Sequence, residues 1–226
     1  MSEEGVVVLN FWPSMFGARV TMALSEKGID FEYREEDVFG NKSDLLIKTN
    51  PVHKKIPVLI HDGKPVCESK IILEYIDEAW KNKGPSLFPS DPYQRSQARF
   101  WTDYIDAKVF DAGRRTWTKK GKEREEAKRE FVETMKVMER QLGENTYFGG
   151  NDGVSVVDLA LISYYPWFHT WQTFGGFSLE KEAPKLMGWA QKCLTRPGIS
   201  KSLPDPVKIL ERVSTIRRIH EFFYGD

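Results

Sequence analysis

The chain has 226 residues, of which 40% are hydrophobic, 13% aromatic and 29% charged, a balance that fits a folded globular protein and argues against a disordered one. Thirty-three Lys and Arg offset thirty-three Asp and Glu, so no net field draws the whole molecule to nucleic acid or to an anionic membrane, and any anion site is local. Only two cysteines occur, Cys67 and Cys193, without partners at metal-ligand spacing, which argues against a disulfide scaffold or a zinc site and points to a reducing compartment.

The start, "MSEEGVVVLNFW", is acidic before its apolar run; it lacks the basic flank of a signal peptide and the length of a membrane span, so the expected address is the cytosol. The run Val6 to Trp12 has strand length and unbroken apolarity, as expected of a strand buried on both faces. Met15 to Lys27 follows as a helix with Val20, Ala23 and Leu24 on one face, and Gly28 stands where a helix end wants left-handed dihedrals. "DFEYREEDV" alternates Phe31 and Tyr33 with charges and predicts a half-buried strand. A short helical or irregular piece around Ser43 to Lys48 leads to "VLIHDGKPVC", a hairpin turning at Asp62-Gly63, with Pro65 marking its second strand as an edge. The helix "SKIILEYIDEAW" then carries Ile72, Tyr75, Ile76 and Ala79 along one stripe. This order predicts a small mixed sheet with helices on both faces.

Three prolines and a glycine in "KNKGPSLFPSDPYQ" break the pattern. We divide the chain into an α/β domain at 1–82, a linker at 83–92 and a second domain at 93–226. Past Tyr93 only helical spacing recurs: Trp101, Tyr104 and Ile105; Phe131, Met135, Met138 and Leu142; and a last amphipathic stretch, Ile209 to Phe222. Ser155 with Asp158 three residues later predicts a capping box, and Val154 with Leu159 a hydrophobic staple, at the start of a buried helix. The basic pairs Lys119-Lys120 and Arg217-Arg218 read as solvated helix faces.

Chemistry concentrates in "HKKIPVLIHDGKPVCES". Pro57 biases Ile56 toward extended geometry and leaves the backbone groups of Ile56 able to pair with an extended guest. Lys54 and Lys55, with Lys42 upstream, suit a carboxylate at one end of that guest. Glu68 can accept from an ammonium, while Ser69 and the amides of the following helix can donate to a second carboxylate. The implied ligand is a short, zwitterionic, doubly acidic peptide. Each part also has an ordinary role: loop lysines as surface, proline as punctuation, Ser69 as a cap. In "FWPSMFG", Ser14 sits where the first strand meets the first helix. No histidine stands near it in sequence and no G-x-S-x-G surrounds it, so it is better suited to donate a hydrogen bond than to attack.

With "FWPSMFGARV", "NPVHKKIPVLIHDGKPVCES", "PSDPYQRSQARFW", "TYFGG" and "SLPD", the chain resembles a plant glutathione S-transferase of the tau class over essentially its whole length. The resemblance implies a thioredoxin-like N-terminal domain, with a mixed four-stranded sheet and helices, followed by an all-helical C-terminal domain. It implies glutathione as a co-substrate with no further cofactor, hydrophobic electrophiles as second substrates, and a homodimer that binds neither nucleic acid nor membrane. By that resemblance Ser14 donates to the glutathione sulfur, Lys42 and Lys55 meet the glycyl carboxylate, Ile56 pairs with the cysteinyl backbone before a cis Pro57, and Glu68 with Ser69 grips the γ-glutamyl end. Phe11, Phe16, Phe110, Arg114, Trp117 and Trp167 are implied at the electrophile pocket, although aromatics at helical spacing are usually core and about half of this set is expected there.

The chain departs from commoner relatives at Met15, where proline is frequent, and around Phe39-Gly40, where one extra residue precedes Asn41-Lys42. Relatives that place a cysteine at the position of Ser14 form mixed disulfides; here that nucleophile is missing, and Cys67 reads as a small buried hydrophobe. A free thiol titrates at about 8.5, and lowering that value by about two takes roughly 2.7 kcal/mol. One hydrogen bond to the charged sulfur, about 1.5 to 3 kcal/mol, together with the helix terminus is of that size. Two other readings use the same cleft: a carrier of glutathione conjugates or hydrophobic ligands without catalysis, and glutathione-dependent reduction of hydroperoxides.

Overall fold

The computed structural model of the protein describes residues 5–151 and 153–224, with side chains as far as residue 219. Residues 1–4 of the acidic start, and the side chain of Phe222 in the last amphipathic stretch, lie outside the described residues.

Four strands form one mixed sheet. Strand β1 (Val6–Asn10) runs parallel to β2 (Glu32–Glu35) and antiparallel to β3 (Val58–His61), and β3 pairs antiparallel with β4 (Lys64–Cys67), in the order β2-β1-β3-β4. The unbroken apolarity of β1 has the expected cause. Val6 and Val8 pack with helices α1 (Met15–Glu26) and α3 (Ser69–Ala79), whereas Leu9 joins Val58, Ile60 and Leu46 of helix α2 (Asp44–Thr49) on the other face. The hairpin turns at Asp62 and Gly63, both at positive φ (50° and 75°), and Pro65 lies on the outer strand, where its missing N–H removes no ladder bond.

Two expectations fail locally. Strand β2 is exposed along its length rather than half-buried; as the other edge of the sheet it presents charge, with Arg34 bound to both carboxylate oxygens of Glu32 (2.6 and 3.0 Å) and Tyr33 Oη donating to Glu35 Oε2 (2.6 Å). On α3 the buried stripe is Ile72, Leu73 and Ile76, while Ala79 faces solvent, because the last turn buries Trp80 instead.

Beyond α3 the proline-rich stretch is packed. Leu87 and Phe88 are buried, and the buried carboxylate of Asp77 accepts from both of their amides (2.8 and 3.2 Å) while meeting Lys27 Nζ at 2.7 Å. The remainder of the described chain is helical: α4 (Pro92–Thr118), α5 (Gly121–Leu142), α6 (Val156–Ile162), α7 (Tyr165–Gly175), α8 (Leu179–Glu182), α9 (Pro184–Leu194), α10 (Pro197–Ser200) and α11 (Pro206–Tyr224). Phe131, Met135, Met138 and Leu142 are all buried, as their spacing predicts. The capping box forms at α6. Asp158 Oδ2 accepts from Ser155 N (2.8 Å) and Oγ (2.7 Å), and Oδ1 accepts from Phe148 N (2.9 Å) and Trp189 Nε1 (2.8 Å). Burial pushes the Asp158 carboxyl above its ordinary range, and those donors oppose the shift.

Arg19 of α1 joins the sheet unit to the helices. Fully buried, it meets Asp106 of α4 at 2.5 Å, donates to Ser163 Oγ (3.2 Å) and Ala160 O (3.1 Å), and lies over the rings of Phe16 and Tyr164. Among the described residues no helix is long and apolar enough to cross a membrane.

Candidate active site

The turn after β1 delivers Ser14 to the N-cap of α1. Its backbone is extended (φ −73°, ψ 113°), its amide donates to Phe11 O (2.8 Å), and its Oγ accepts from Gly17 N at 3.1 Å, satisfying one of the orphan amides of the helix. Only glycine fits three residues on: a Cβ at Gly17 would lie 1.7 Å from Asn10 Oδ1, so the helix start docks directly on the end of β1. Ser14 is 9% exposed, and its hydroxyl hydrogen has no acceptor among the described residues.

Strand register gathers the other polar candidates at the same end of the sheet. Leu9 faces Val58 and Val58 faces Cys67, so Ile56 lies just past the end of one ladder and Glu68 just past the end of the other. The Ile56–Pro57 bond is cis, Pro57 is buried, and β3 begins only at Val58, which leaves Ile56 outside the ladder. Asn50 holds the preceding turn: its Nδ2 donates to Lys55 O (2.9 Å) and its Oδ1 accepts from His53 N (3.1 Å), with Lys54 between them at φ 52°. Lys42 Nζ reaches the same turn, donating to Lys54 O at 2.9 Å. Lys55 is exposed and has no ion-pair partner among the described residues.

Glu68 heads α3 in a rare backbone conformation for a residue with a side chain, φ 70° and ψ 118°, and its carboxylate makes no capping bond. A strained residue of this kind costs about 1 to 3 kcal/mol and is a pointer to function. Ser69 is the first residue of α3 and is buried, so the opening amides of α3 sit beside a carboxylate and a hydroxyl. Two helix N-termini, two lysines reaching one turn and one uncapped glutamate thus share an end of the sheet, an arrangement suited to a ligand with both signs of charge.

Between the sheet unit and the helices lies a cleft of about 260 Å³. Ser14 and Ile56 line it, and so do all of Phe11, Phe16, Phe110, Arg114, Trp117 and Trp167. The expected division of that set into core and pocket is absent: Phe16, Phe110, Trp117 and Trp167 face the cleft and also pack, partly buried, against the core. Lys42, Lys55, Glu68 and Ser69 do not line the cleft. Trp167 Nε1 donates to Pro13 O at 2.9 Å, so a helical residue holds the loop that presents Ser14. Sequence reasoning missed Phe39, Trp171 and the wall supplied by α11, namely Ile209, Arg212, Val213 and Ile216. The signal for α11 was a cation inside an otherwise apolar stripe. Asn50 was also missed, because a single buried asparagine in a turn has no distinctive spacing. Neither cysteine competes with Ser14: burial raises the thiol pKa of Cys193 and of Cys67, and Glu68 adds to the shift at Cys67.

Residues 4–78 match the family model of the glutathione S-transferase N-terminal domain, and residues 121–192 that of a glutathione S-transferase C-terminal domain. The chain is 74% identical to glutathione S-transferase U27 of Arabidopsis thaliana over 226 residues, covering 100% of each. It is 56% identical over 218 residues to the probable glutathione S-transferase parC of Nicotiana tabacum, covering 96% of this chain and 98% of that one. Among solved structures, rice GST1 in complex with glutathione superposes with a TM-score of 0.92 at 44% identity, covering 97% of this chain and 99% of that one. The tau-class enzyme of mango, Mangifera indica, gives 0.88 at 36% identity, covering 94% and 98%.

Proposed function

The chain belongs to the glutathione S-transferase family, in its tau class, and on that premise we propose how its residues conjugate glutathione to hydrophobic electrophiles. The glutathione cysteine lies at the mouth of the cleft with its sulfur against Ser14. The thiol releases its proton to solvent, and the anion left behind accepts from Ser14 Oγ at the positive end of α1. That sulfur attacks an electrophilic carbon held in the apolar cleft; the C–S bond forms, the bond to the leaving group breaks, and the leaving group departs with the electron pair. Ile56 pairs its backbone with the cysteinyl residue. Glu68 accepts from the γ-glutamyl ammonium, and Ser69 with the first amides of α3 takes the adjoining carboxylate. Lys55, together with Lys42, whose ammonium keeps donors beyond the one given to Lys54 O, meets the glycyl carboxylate.

The observation that carries this reading is the Ser14 hydroxyl: already accepting from Gly17 N, with its own proton uncommitted, and set on the wall of an aromatic cleft. Relatives named as transferases also weigh against a purely carrying role. The test is Ser14→Ala. Glutathione affinity should stay within about fivefold while turnover of an aryl halide falls by about a hundredfold, a loss of roughly 2.7 kcal/mol. Ultraviolet difference spectra of the saturated variant should lose thiolate absorbance near neutrality; wild-type turnover with the thiol still ionised would remove Ser14 from the mechanism.

We also propose the homodimer, with the sheet unit of one copy against the helices of the other. Ile71 of α3 and Tyr93 and Phe100 of α4 are large apolar residues left exposed, a surface such a contact would cover. A molar mass measured by light scattering checks it; the mass of a single chain at micromolar concentration contradicts it.

A further inference from the structure

We propose that Arg212 is an anion-recognition residue of the cleft, selecting flat apolar electrophiles that carry a carboxylate. The inference rests on the cleft being the electrophile site, as proposed above. Arg212 stands on the α11 stripe between Ile209 and Val213, where packing alone calls for another apolar residue, and it lines the same cleft as Ser14. Its guanidinium lies 5.2 Å from the ring centre of Phe11 and 5.5 Å from that of Phe39. These contacts stabilise the positive charge through the quadrupoles of two rings set nearly at right angles to each other. They supply no oxygen acceptor to its N–H donors, which are built to meet a planar acid. Among the described residues no carboxylate pairs with Arg212. The other arginine of the cleft differs: Arg114 donates to Asp111 Oδ1 at 3.2 Å, so its charge already has a counterpart.

The segment before Asn41-Lys42 belongs to the same corner. The Asp37 carboxylate accepts from Phe39 N (3.2 Å) and Gly40 N (2.9 Å), folding the segment into a tight loop that projects Phe39. Phe39 is 75% exposed and meets Phe11 edge-on at 5.6 Å. Phe11, Phe39 and Arg212 therefore form a cationic corner of the cleft, separate from Arg114, whose charge is paired with Asp111. A flat acid entering there can lay its body on the aromatics and complete the in-plane bonds of the guanidinium.

The test compares wild type, Arg212→Met and Arg212→Lys on a matched pair of electrophiles at saturating glutathione: neutral 1-chloro-2,4-dinitrobenzene and 4-chloro-3,5-dinitrobenzoate. In Arg212→Met the ratio of kcat/KM for the acid to that for the neutral halide should fall about tenfold, as loss of a charge-assisted contact predicts, with Arg212→Lys in between. A residue that only props Phe39 would shift both substrates together, and a ratio within about twofold of wild type overturns the proposal. Tryptophan quenching by 3,5-dinitrobenzoate against 1,3-dinitrobenzene repeats the comparison without turnover, since Trp117 and Trp167 line the cleft. If wild type conjugates neither halide, the role given to Ser14 falls, and the quenching ratio decides Arg212 by itself: a tenfold drop supports it, an unchanged ratio overturns it.

Discussion

The polar end of the sheet and the helical wall of the cleft meet at Ser14 and Ile56 but are built by different means. At the sheet end, position follows from backbone: strand register sets Ile56 and Glu68, helix starts set Ser14 and Ser69, and a turn held by Asn50 sets Lys55. Along the helical wall, position follows from side chains of α4, α7 and α11, far apart in sequence and converging only through packing. A site made of backbone tolerates little change of ligand, whereas a wall of rotatable aromatic and aliphatic groups accepts a range of flat shapes. The contrast matches a reaction with one fixed co-substrate and a variable partner.

Three substitutions probe how separate the two parts are. Arg19→Met removes the buried cation that joins them and leaves Asp106 without its main partner, so stability should drop by about 3 kcal/mol, read from the urea midpoint. A change below about 0.5 kcal/mol would mean that this pair adds little to the apolar packing and to the other polar links between the halves, such as Arg196 with Glu26. Trp167→Phe keeps an aromatic surface but deletes the bond to Pro13 O, and turnover should fall about fivefold while glutathione affinity changes less, near 1 kcal/mol in all. Should affinity fall as far as turnover, the wall would also be helping to bind the tripeptide. Gly40→Ala is the mildest: its Cβ would lie 2.2 Å from Asp37 Oδ2, so the carboxylate that holds the loop bearing Phe39 must move. The KM for an aromatic electrophile should rise about threefold, under 1 kcal/mol, with that for glutathione unmoved.

Legibility followed the same division. The mixed sheet and its hairpin were readable because β1 is apolar on both faces and Asp62-Gly63 can take the positive φ values of a tight turn, whereas the spatial order of the strands was not. Ser14, Ile56, Glu68 and Ser69 were readable because their places are fixed within a few residues of a strand or helix end. The wall was only partly so. Phe110, Arg114 and Trp117 sit on one face of α4 and came from resemblance, while Ile209, Val213 and Ile216 look in sequence like any buried stripe. Edge strand β2 misled for a related reason: alternation of Phe31 and Tyr33 with charges reads as one buried face, and nothing local says that no neighbour lies beyond it.

In the mechanism proposed above, the Ser14 cap has one more consequence, at the end of the catalytic cycle. A hydroxyl is neutral, so its grip on sulfur depends on the charge that sulfur carries. Once the new carbon–sulfur bond has formed, the anion has become a thioether, a weak acceptor, and the contact that favoured attack holds little of the product back. A lysine in that place would keep its own charge to be solvated or paired after the reaction, whereas a serine asks for nothing and lets the conjugate go.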